Sequence, residues 1–153
     1  MGIFCYTVVV NIHLATDHAG FEHKEVLKAH LSALGHSVVD HGDTEPVSED
    51  DYPDFITPCA QAVAGDSESM GIIFGGSGEG EAMCANRIHG VRAVVYYGGN
   101  TDIVKLSREH NNANVLSIAA RFVSIEETLS TVDLWLATPF SNDERHIRRL
   151  SKF

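Results

Sequence analysis

A glycine-rich loop followed by a carboxylate is the feature of this sequence that points most directly to reaction chemistry. Residues 75–80 contain four glycines and follow an apolar stretch that ends at Phe74. From Glu81 onward the residues have a helical pattern. The backbone N–H groups of such a loop and the N-terminal end of a helix stabilise negative charge. A carboxylate beside them can remove a proton next to a carbonyl while the loop holds the resulting oxyanion.

The glycine spacing does not fit the common nucleotide-binding loops. With Gly76 and Gly78 as the first pair of a dinucleotide fingerprint, Glu81 occupies the third glycine position, and no Gly-Lys-Ser/Thr follows for a P-loop. The loop is therefore suited to a small anion or a reaction oxyanion, and Ser77 adds a hydroxyl. The alternative for Glu81 is a first-turn acid that the helix dipole keeps ionised at neutral pH.

Two histidine-containing pairs are further candidates for acid–base chemistry. Asp17 and His18 follow an apolar strand, and an imidazole exchanges protons near neutral pH. The alternative for this pair is an Asp N-cap with an exposed neighbour. His110 and Asn111 end a predicted helix, where an ordinary C-cap is the alternative.

Arginines cluster near the C-terminus of a chain whose formal net charge is −10. Arg145 and Arg149 lie four residues apart on one face of a predicted basic helix over residues 143–152, and Arg121 follows a strand. Guanidinium groups suit phosphate, whereas the alternative is a solvated basic helix. The acidic balance argues against nucleic-acid partners and anionic membranes. No apolar run approaches the ~20 residues of a transmembrane helix.

Neither a metal site nor a disulfide framework is predicted. The nine histidines lack ligand spacing with cysteine or acidic partners, and Cys84 lies inside a helical pattern as a packed thiol. Three cysteines without CxxC spacing suit a reducing compartment, which indicates the cytoplasm. The apolar start of the chain lacks a positive segment, so we expect an N-terminal strand rather than a signal peptide.

Strand and helix patterns alternate along the chain, which predicts an α/β domain with a five-stranded parallel sheet. The predicted strands are 7–15, 36–40, 69–74, 91–97 and 115–120, and the predicted helices are 21–34, 53–64, 81–87, 101–110, 124–137 and 143–152. Residues 1–153 fit one domain. Because ligands bind at the carboxyl ends of such strands, the loops after strands one, three, four and five should converge.

Several long motifs, taken in order, resemble the family of ribose-5-phosphate isomerase B and galactose-6-phosphate isomerase. They are TDHAGFEHKEVLKAHLSALGH, DYPDF, GIIFGGSGEGEAMCANRIHGVRA, SREHNNANVLSIAAR and RHIRR, and the resemblance covers residues 8–152. It implies a Rossmann-like three-layer α/β/α sandwich. It also implies a homodimer, sometimes a tetramer, with active sites between subunits and no metal or organic cofactor. The implied reaction interconverts a phosphorylated aldose and ketose, foremost D-ribose 5-phosphate and D-ribulose 5-phosphate.

The resemblance also implies roles for individual residues. Glu81 matches the base that moves a proton between C2 and C1 through a cis-enediolate. Asp17 and His18 would contact the sugar, and His110 would share ring opening. Ser77 and the loop amides would hold the reacting oxygens, and further positions would bind substrate and phosphate, some across the dimer interface. The loop positions are Gly76, Gly78, Glu79 and Gly80, and the substrate and phosphate positions are Asn111, Arg121, Arg145 and Arg149.

The sequence departs from the family in three places. A sister branch uses a cysteine base in a CGTG motif, where this chain has Gly75, and Ser77 replaces its threonine. The loop of residues 97–101 has no counterpart in that resemblance and helps set which sugar is accepted. Residues 1–6 precede the family's usual start. Two alternatives therefore stay open: an isomerase of a four- or six-carbon sugar phosphate, and a non-catalytic sugar-phosphate-binding module.

Overall fold

The computed structural model describes residues 8–153, so the expectations for Cys5 and for the chain start lie outside the described residues. The strands are β1 (Asn11–Thr16), β2 (Ser37–Asp40), β3 (Met70–Gly75), β4 (Ala93–Tyr96) and β5 (Val115–Ala119). The helices are α1 (Phe21–Ala33), α2 (Pro53–Gly65), α3 (Glu79–Ala85), α4 (Asp102–Glu109), α5 (Ile125–Ala137) and α6 (Glu144–Leu150). A short 3₁₀ helix, His18–Gly20, joins β1 to α1.

The five strands form one parallel sheet in the order β2-β1-β3-β5-β4. The predicted fold class is therefore confirmed. β3 lies at the centre, and its register places Gly75 beside Ala119 of β5. Since all strands point the same way, every loop that leaves a strand emerges at one edge of the sheet, called the carboxyl edge below.

Two apolar cores cover the two faces of the sheet. On one face, side chains of α1, α4 and α5 pack against the sheet, with Trp135 and Phe74 among the largest buried residues. On the other face, α2 and α3 pack through residues such as Ile56 and Ala85. Buried strands with apolar residues on both faces explain why the strand sequences do not alternate.

Helix α3 begins two residues earlier than predicted, and this shift matters for the candidate site. Gly78 adopts the left-handed conformation at the N-cap, with φ of 77°, so the helix starts at Glu79 and Glu81 lies within its first turn. The helix ends at Ala85, and the side-chain amide of the C-cap residue Asn86 pairs with both backbone groups of Ala93, at 2.7 and 2.9 Å. The N-cap predicted at Ser124 is confirmed, since its hydroxyl accepts from the Glu127 N–H.

None of the helices between residues 8 and 153 combines the length and the apolar character needed to cross a membrane. The longest helices have 13 residues.

A buried ammonium group ties α1 to the sheet. The Lys24 side chain is 0% exposed, and its Nζ lies 2.6 Å from carboxylate oxygens of both Asp40 and Glu25. Lys28 also pairs with Asp40, at 2.8 Å, but its side chain is 40% exposed. The two lysines thus share one carboxylate under different degrees of burial.

We predict that Lys24→Ala lowers the free energy of unfolding by about 2–5 kcal/mol, because it empties a fully buried site and removes the buried ammonium partner of Asp40. Lys28→Ala is the matched control and should cost less than about 1 kcal/mol, since exposed ion pairs contribute little. Denaturant unfolding of the two variants measures both values. Equal losses in both would contradict a special role for the buried ammonium.

Candidate active site

Loops from β1, β3 and β5 meet at the carboxyl edge of the sheet, as predicted, and Tyr97 of the fourth predicted loop, after β4, lines a cavity there with Ser77. The guanidinium of Arg121, after β5, packs on Gly76, after β3: a Cβ built on Gly76 would lie 3.1 Å from the guanidinium carbon. The Arg121 N–H also donates to the Gly76 carbonyl, at 3.2 Å. The Arg121 charge is close enough to His18, after β1, to oppose protonation of its imidazole. The Asp17 charge is likewise close enough to Glu81 to raise the pKa of its carboxyl.

The Glu81 carboxyl lies directly over Gly75, the last residue of β3. A Cβ built on Gly75 would lie 2.0 Å from the carboxyl carbon of Glu81, closer than any contact that real side chains make. Glu81 is only 4% exposed. The carboxyl therefore fills the space that a side chain at position 75 would take, and only glycine leaves room for it.

Burial raises the pKa of the Glu81 carboxyl above its ordinary value, and the nearby charge of Asp17 raises it further. The sequence-based expectation considered only the helix dipole, which favours the ionised form. That expectation overlooked burial, because the position of a side chain relative to the sheet cannot be read from helix periodicity. A raised pKa makes this carboxylate a stronger base when it is ionised.

The glycine loop is held from beneath by β5. The buried Ser117 hydroxyl donates to the Gly78 carbonyl at 2.6 Å, and the Ala82 N–H donates to the same carbonyl at 3.1 Å. Ser77 is exposed, and its hydroxyl accepts from the Glu79 N–H at 3.3 Å. The Tyr52 hydroxyl packs against Gly80, where a Cβ would lie 2.8 Å from it. Sequence reasoning missed Ser117 and Tyr52, which have no spacing relation to the loop.

Asp17 caps the 3₁₀ helix, since its carboxylate accepts from the Ala19 N–H at 2.9 Å. The capping alternative is therefore correct for Asp17, and the cap also places this buried carboxylate near Glu81. His18 follows and contacts Asp50, with 2.6 Å between Nδ1 and Oδ1. This contact raises the pKa of the His18 imidazole, because the carboxylate stabilises its charged form.

Asp17, His18 and Asp50 bring three potential ligand atoms within 4.8 Å of one another, the one such grouping in residues 8–153. Carboxylate and imidazole groups can ligate a divalent cation. Here, however, Asp50 uses both oxygens on His18, and Asp17 already accepts from Ala19. Hydrogen bonds within the group account for its geometry, so we assign no cation to it.

His110 and Asn111 lie at the opposite edge of the sheet. They follow α4, which runs back from the carboxyl edge, and they precede the start of β5. His110 is the C-cap of α4, as the simpler alternative predicted. The turn is anchored by buried Arg108, whose Nη1 donates to the Asn112 side chain at 3.1 Å, and by Arg92, whose Nε donates to the Asn112 carbonyl at 2.7 Å.

Helix α6 joins this second group. The buried His146 ring stacks on the His110 ring, with 4.2 Å between centroids, and the Ser141 N–H donates to the Glu109 carbonyl. Arg145 and Arg149 are exposed on the same helix. Arg145 has only a loose ion pair with Asp143, at 3.5 Å, so its guanidinium is available to another anion.

The predicted site residues thus form two groups within one chain. The carboxyl-edge group contains Asp17, His18, Ser77, Glu81 and Arg121, together with the loop amides. The amino-edge group contains His110, Asn111, Arg145 and Arg149. The five residues of β5 separate the edges by roughly 15 Å, at about 3.3 Å per residue. A single chain does not bring the two groups together.

We predict that Gly75→Ala lowers the free energy of unfolding by about 1–3 kcal/mol, because its methyl group displaces the buried carboxyl of Glu81. Gly65→Ala is the control, because Gly65 is the last residue of α2 and a Cβ built there would have open space around it, with nothing within 4 Å. Denaturant unfolding compares the two, and equal stabilities would contradict the packing of Glu81 on Gly75.

Known proteins that resemble this chain match it over nearly its whole length. The family model described as Ribose/Galactose Isomerase matches residues 12–153. Ribose-5-phosphate isomerase B from Mycolicibacterium paratuberculosis is 40% identical over 141 residues, which are 92% of this chain and 87% of that protein.

Solved structures of proteins with the same name have the same fold as this chain. The crystal structure of ribose-5-phosphate isomerase B from Mycoplasma genitalium with bound ribulose-5-phosphate superposes with a TM-score of 0.89 at 38% identity, covering 94% of this chain and 93% of that one. The Thermotoga maritima ribose 5-phosphate isomerase gives a TM-score of 0.86 at 39% identity, covering 94% and 96%. On the motifs, the fold and these similarities together, the chain belongs to the Ribose/Galactose Isomerase family.

Proposed function

We propose that this chain is an aldose–ketose isomerase that interconverts D-ribose 5-phosphate and D-ribulose 5-phosphate. The observation that carries the proposal is the Glu81 carboxyl, which lies buried over Gly75 beside a loop of glycine amides. A binding module gains nothing from a buried carboxylate of raised pKa at this position, whereas a proton transfer needs one. The relatives named ribose-5-phosphate isomerase B support the choice of sugar.

Glu81 would act as the base of the isomerisation. Its carboxylate removes the proton from C2 of the open aldose, the C–H electron pair forms the C1=C2 double bond, and the carbonyl electrons move to O1. The loop amides from Gly76 to Gly80 and the Ser77 hydroxyl stabilise this enediolate. The C2 hydroxyl proton then passes to O1, and Glu81 returns its proton to C1, so C2 becomes the ketone. No metal or organic cofactor is required by these steps.

Substrate opening and phosphate binding would use both groups of residues. Asp17 and His18 contact the sugar at the carboxyl edge, and Arg121 lies beside them. His110, Asn111, Arg145 and Arg149 would come from the partner subunit of a homodimer, since one chain separates them from Glu81 by the length of a strand. Each site of the proposed dimer would then contain the Glu81 base of one subunit and the arginine phosphate clamp of the other. A tetramer would contain the same dimers.

A single domain in the cytoplasm is part of the same proposal. The two cysteines in the described part of the chain are both free thiols, and burial raises the pKa of the Cys59 thiol to about 12, which makes it unreactive. Free thiols of this kind suit a reducing compartment.

The carboxyl edge also contains a specific reason to test other sugars. Tyr97 and Phe122 are exposed and line a cavity of about 280 Å³ together with Ser77 and Glu79. Because this cavity borders the glycine loop, its two aromatic rings would contact a sugar phosphate bound there in the proposed site. An isomerisation assay with four-, five- and six-carbon sugar phosphates decides between ribose 5-phosphate and these alternatives.

We predict that Glu81→Gln lowers turnover by about 10²–10⁴-fold without lowering stability at neutral pH. The raised pKa means that the folded protein binds more protons than the unfolded chain between the two pKa values, so the charge costs stability as pH rises. The amide removes that cost. Glu126→Gln, in the exposed first turn of α5, is the control. Near-native turnover in Glu81→Gln, with native folding, would refute the assignment of the base.

The pH profile provides a related expectation. Activity should fall on the acid side as Glu81 becomes protonated, with a midpoint above the ordinary glutamate pKa of about 4.3. Solvent deuterium should enter the substrate in the native protein, whereas a pure binder would give no exchange.

We predict that Arg145→Ala combined with Arg149→Ala raises KM, because the phosphate loses its clamp, and lowers kcat if remote binding energy positions the sugar. Arg148→Ala, on the same exposed helix, is the control. An unchanged KM in the double variant would remove the clamp.

Mixing two inactive variants tests the interfacial site. In a twofold dimer of Glu81→Gln with the double arginine variant, one of the two sites keeps an intact base and an intact clamp. Random exchange makes half of the dimers mixed, so we expect about a quarter of native activity. No recovery, despite subunit exchange shown by tagged chains, would place base and clamp on the same chain.

A further inference from the structure

Asp50 holds His18 through both of its carboxylate oxygens. Oδ2 accepts from the main-chain N–H of His18 at 2.9 Å, and Oδ1 lies 2.6 Å from Nδ1 of the imidazole. The Asp50 side chain is only 8% exposed, whereas that of His18 is 31% exposed. One carboxylate therefore fixes both the backbone and the ring of His18, from a loop that begins after β2.

This contact determines which ring nitrogen remains available. A carboxylate accepts only, so Nδ1 donates, and Nε2 is the atom left to face another molecule. The same carboxylate raises the pKa of the imidazole, which favours the form with a proton on Nε2 as well. Asp17 adds to this effect and the Arg121 charge opposes it. Asp43 contacts Asp50 within the same loop between β2 and α2. Glu81 is the next titratable group, close enough to Asp17 for its pKa to respond to that charge.

We propose that Asp50 is a positioning residue that sets the rotamer and tautomer of His18 and keeps Nε2 ready to donate a proton to a sugar oxygen. This role rests on the isomerase function proposed above and deepens it. Neither the motifs that carry the family resemblance nor the sequence spacing points to Asp50, which lies 32 residues from His18.

The step that profits is opening of the cyclic sugar. His18 donates its Nε2 proton to the ring oxygen while the bond between that oxygen and C1 breaks, and the bonding pair stays on the oxygen. The C1 hydroxyl gives its proton to a base, the role we give to His110 of the partner subunit, and its O–H pair forms the carbonyl. The first proton must be present on His18 at the pH of the reaction, which is the condition that Asp50 promotes.

A purely structural role for Asp50 makes a different prediction. As a tether between the loop and the 3₁₀ helix, Asp50 would affect stability without affecting the pH profile. The measurement that separates the roles is the pKa of His18, followed by the NMR signal of its imidazole Cε1–H, which is assigned by its loss in His18→Gln.

The key variant is Asp50→Asn, which keeps the size of the side chain and removes its charge. We expect the pKa of His18 to fall, and the alkaline limb of kcat to move to lower pH in the same direction. At neutral pH, kcat should fall by about tenfold to a hundredfold, less than the 10²–10⁴-fold of a complete loss of acid–base catalysis. Asp50→Glu, which keeps the charge, should recover part of both values.

Asp51→Asn is the matched control, since it removes the same charge from an exposed neighbour. It should leave the pKa of His18 and kcat as in the native protein. The proposal is overturned if Asp50→Asn leaves the pKa of His18 unchanged, or if that pKa falls while the pH profile of kcat stays fixed.

Failure of the proposed function gives a separate result. If the native protein isomerises none of the four-, five- and six-carbon sugar phosphates, the isomerase assignment fails and with it the proton donation. The pKa of His18 in Asp50→Asn still decides whether Asp50 controls the ring. A fall in that pKa without any native turnover would show the control and reject only its use in isomerisation.

Discussion

The absence of a side chain at Gly75 is the constraint on which the candidate site depends. Because the end of β3 carries no Cβ there, the first turn of α3 approaches the sheet closely enough for the Glu81 carboxyl to lie over the strand. The same approach buries that carboxyl, and burial is what raises its pKa. Packing and chemistry therefore depend on the same residue, because a larger side chain at position 75 would displace the group that the proposed reaction needs.

In the sister branch of the family, as the resemblance implies, a cysteine at this position provides the base itself. The two branches thus fill one space with alternative reactive groups.

The loop around this carboxylate is held by contacts with neighbouring elements. Gly78 supplies the positive φ that starts α3, and Ser117 holds its carbonyl from the neighbouring strand. Gly76 and Gly80 instead allow Arg121 and Tyr52 to approach the backbone closely. These three contacts and the turn at Gly78 place the loop amides before any substrate arrives, and preorganised N–H donors stabilise an oxyanion with little reorganisation.

The Glu81 carboxyl and the exposed arginines of α6 are separated along the strands. Carboxylates gather at the carboxyl edge around Asp17, Asp50 and Glu81, while the exposed arginines of α6 lie at the amino edge, beside the His110 and His146 rings. Arg108, packed over Trp135 at 5.5 Å, holds the turn that presents His110. In the function proposed above, a phosphorylated substrate needs both the base and the α6 arginines, and their separation within one chain supports the proposal that two subunits share each site.

The sequence by itself determined the order of strands and helices, the cap at Ser124, the parallel sheet, and the candidates at Asp17, His18 and Glu81. These follow from short-range patterns, in which periodicity, glycine and caps act within a few residues. Only the tertiary structure decided that Glu81 is buried over Gly75 and that Asp50 and Ser117 hold His18 and Gly78. It also decided that His110 lies at the far edge from Glu81. These contacts join residues from separate elements, 32 apart for Asp50 and His18 and 39 apart for Ser117 and Gly78. Strand order and helix direction create such contacts, and no local spacing encodes them.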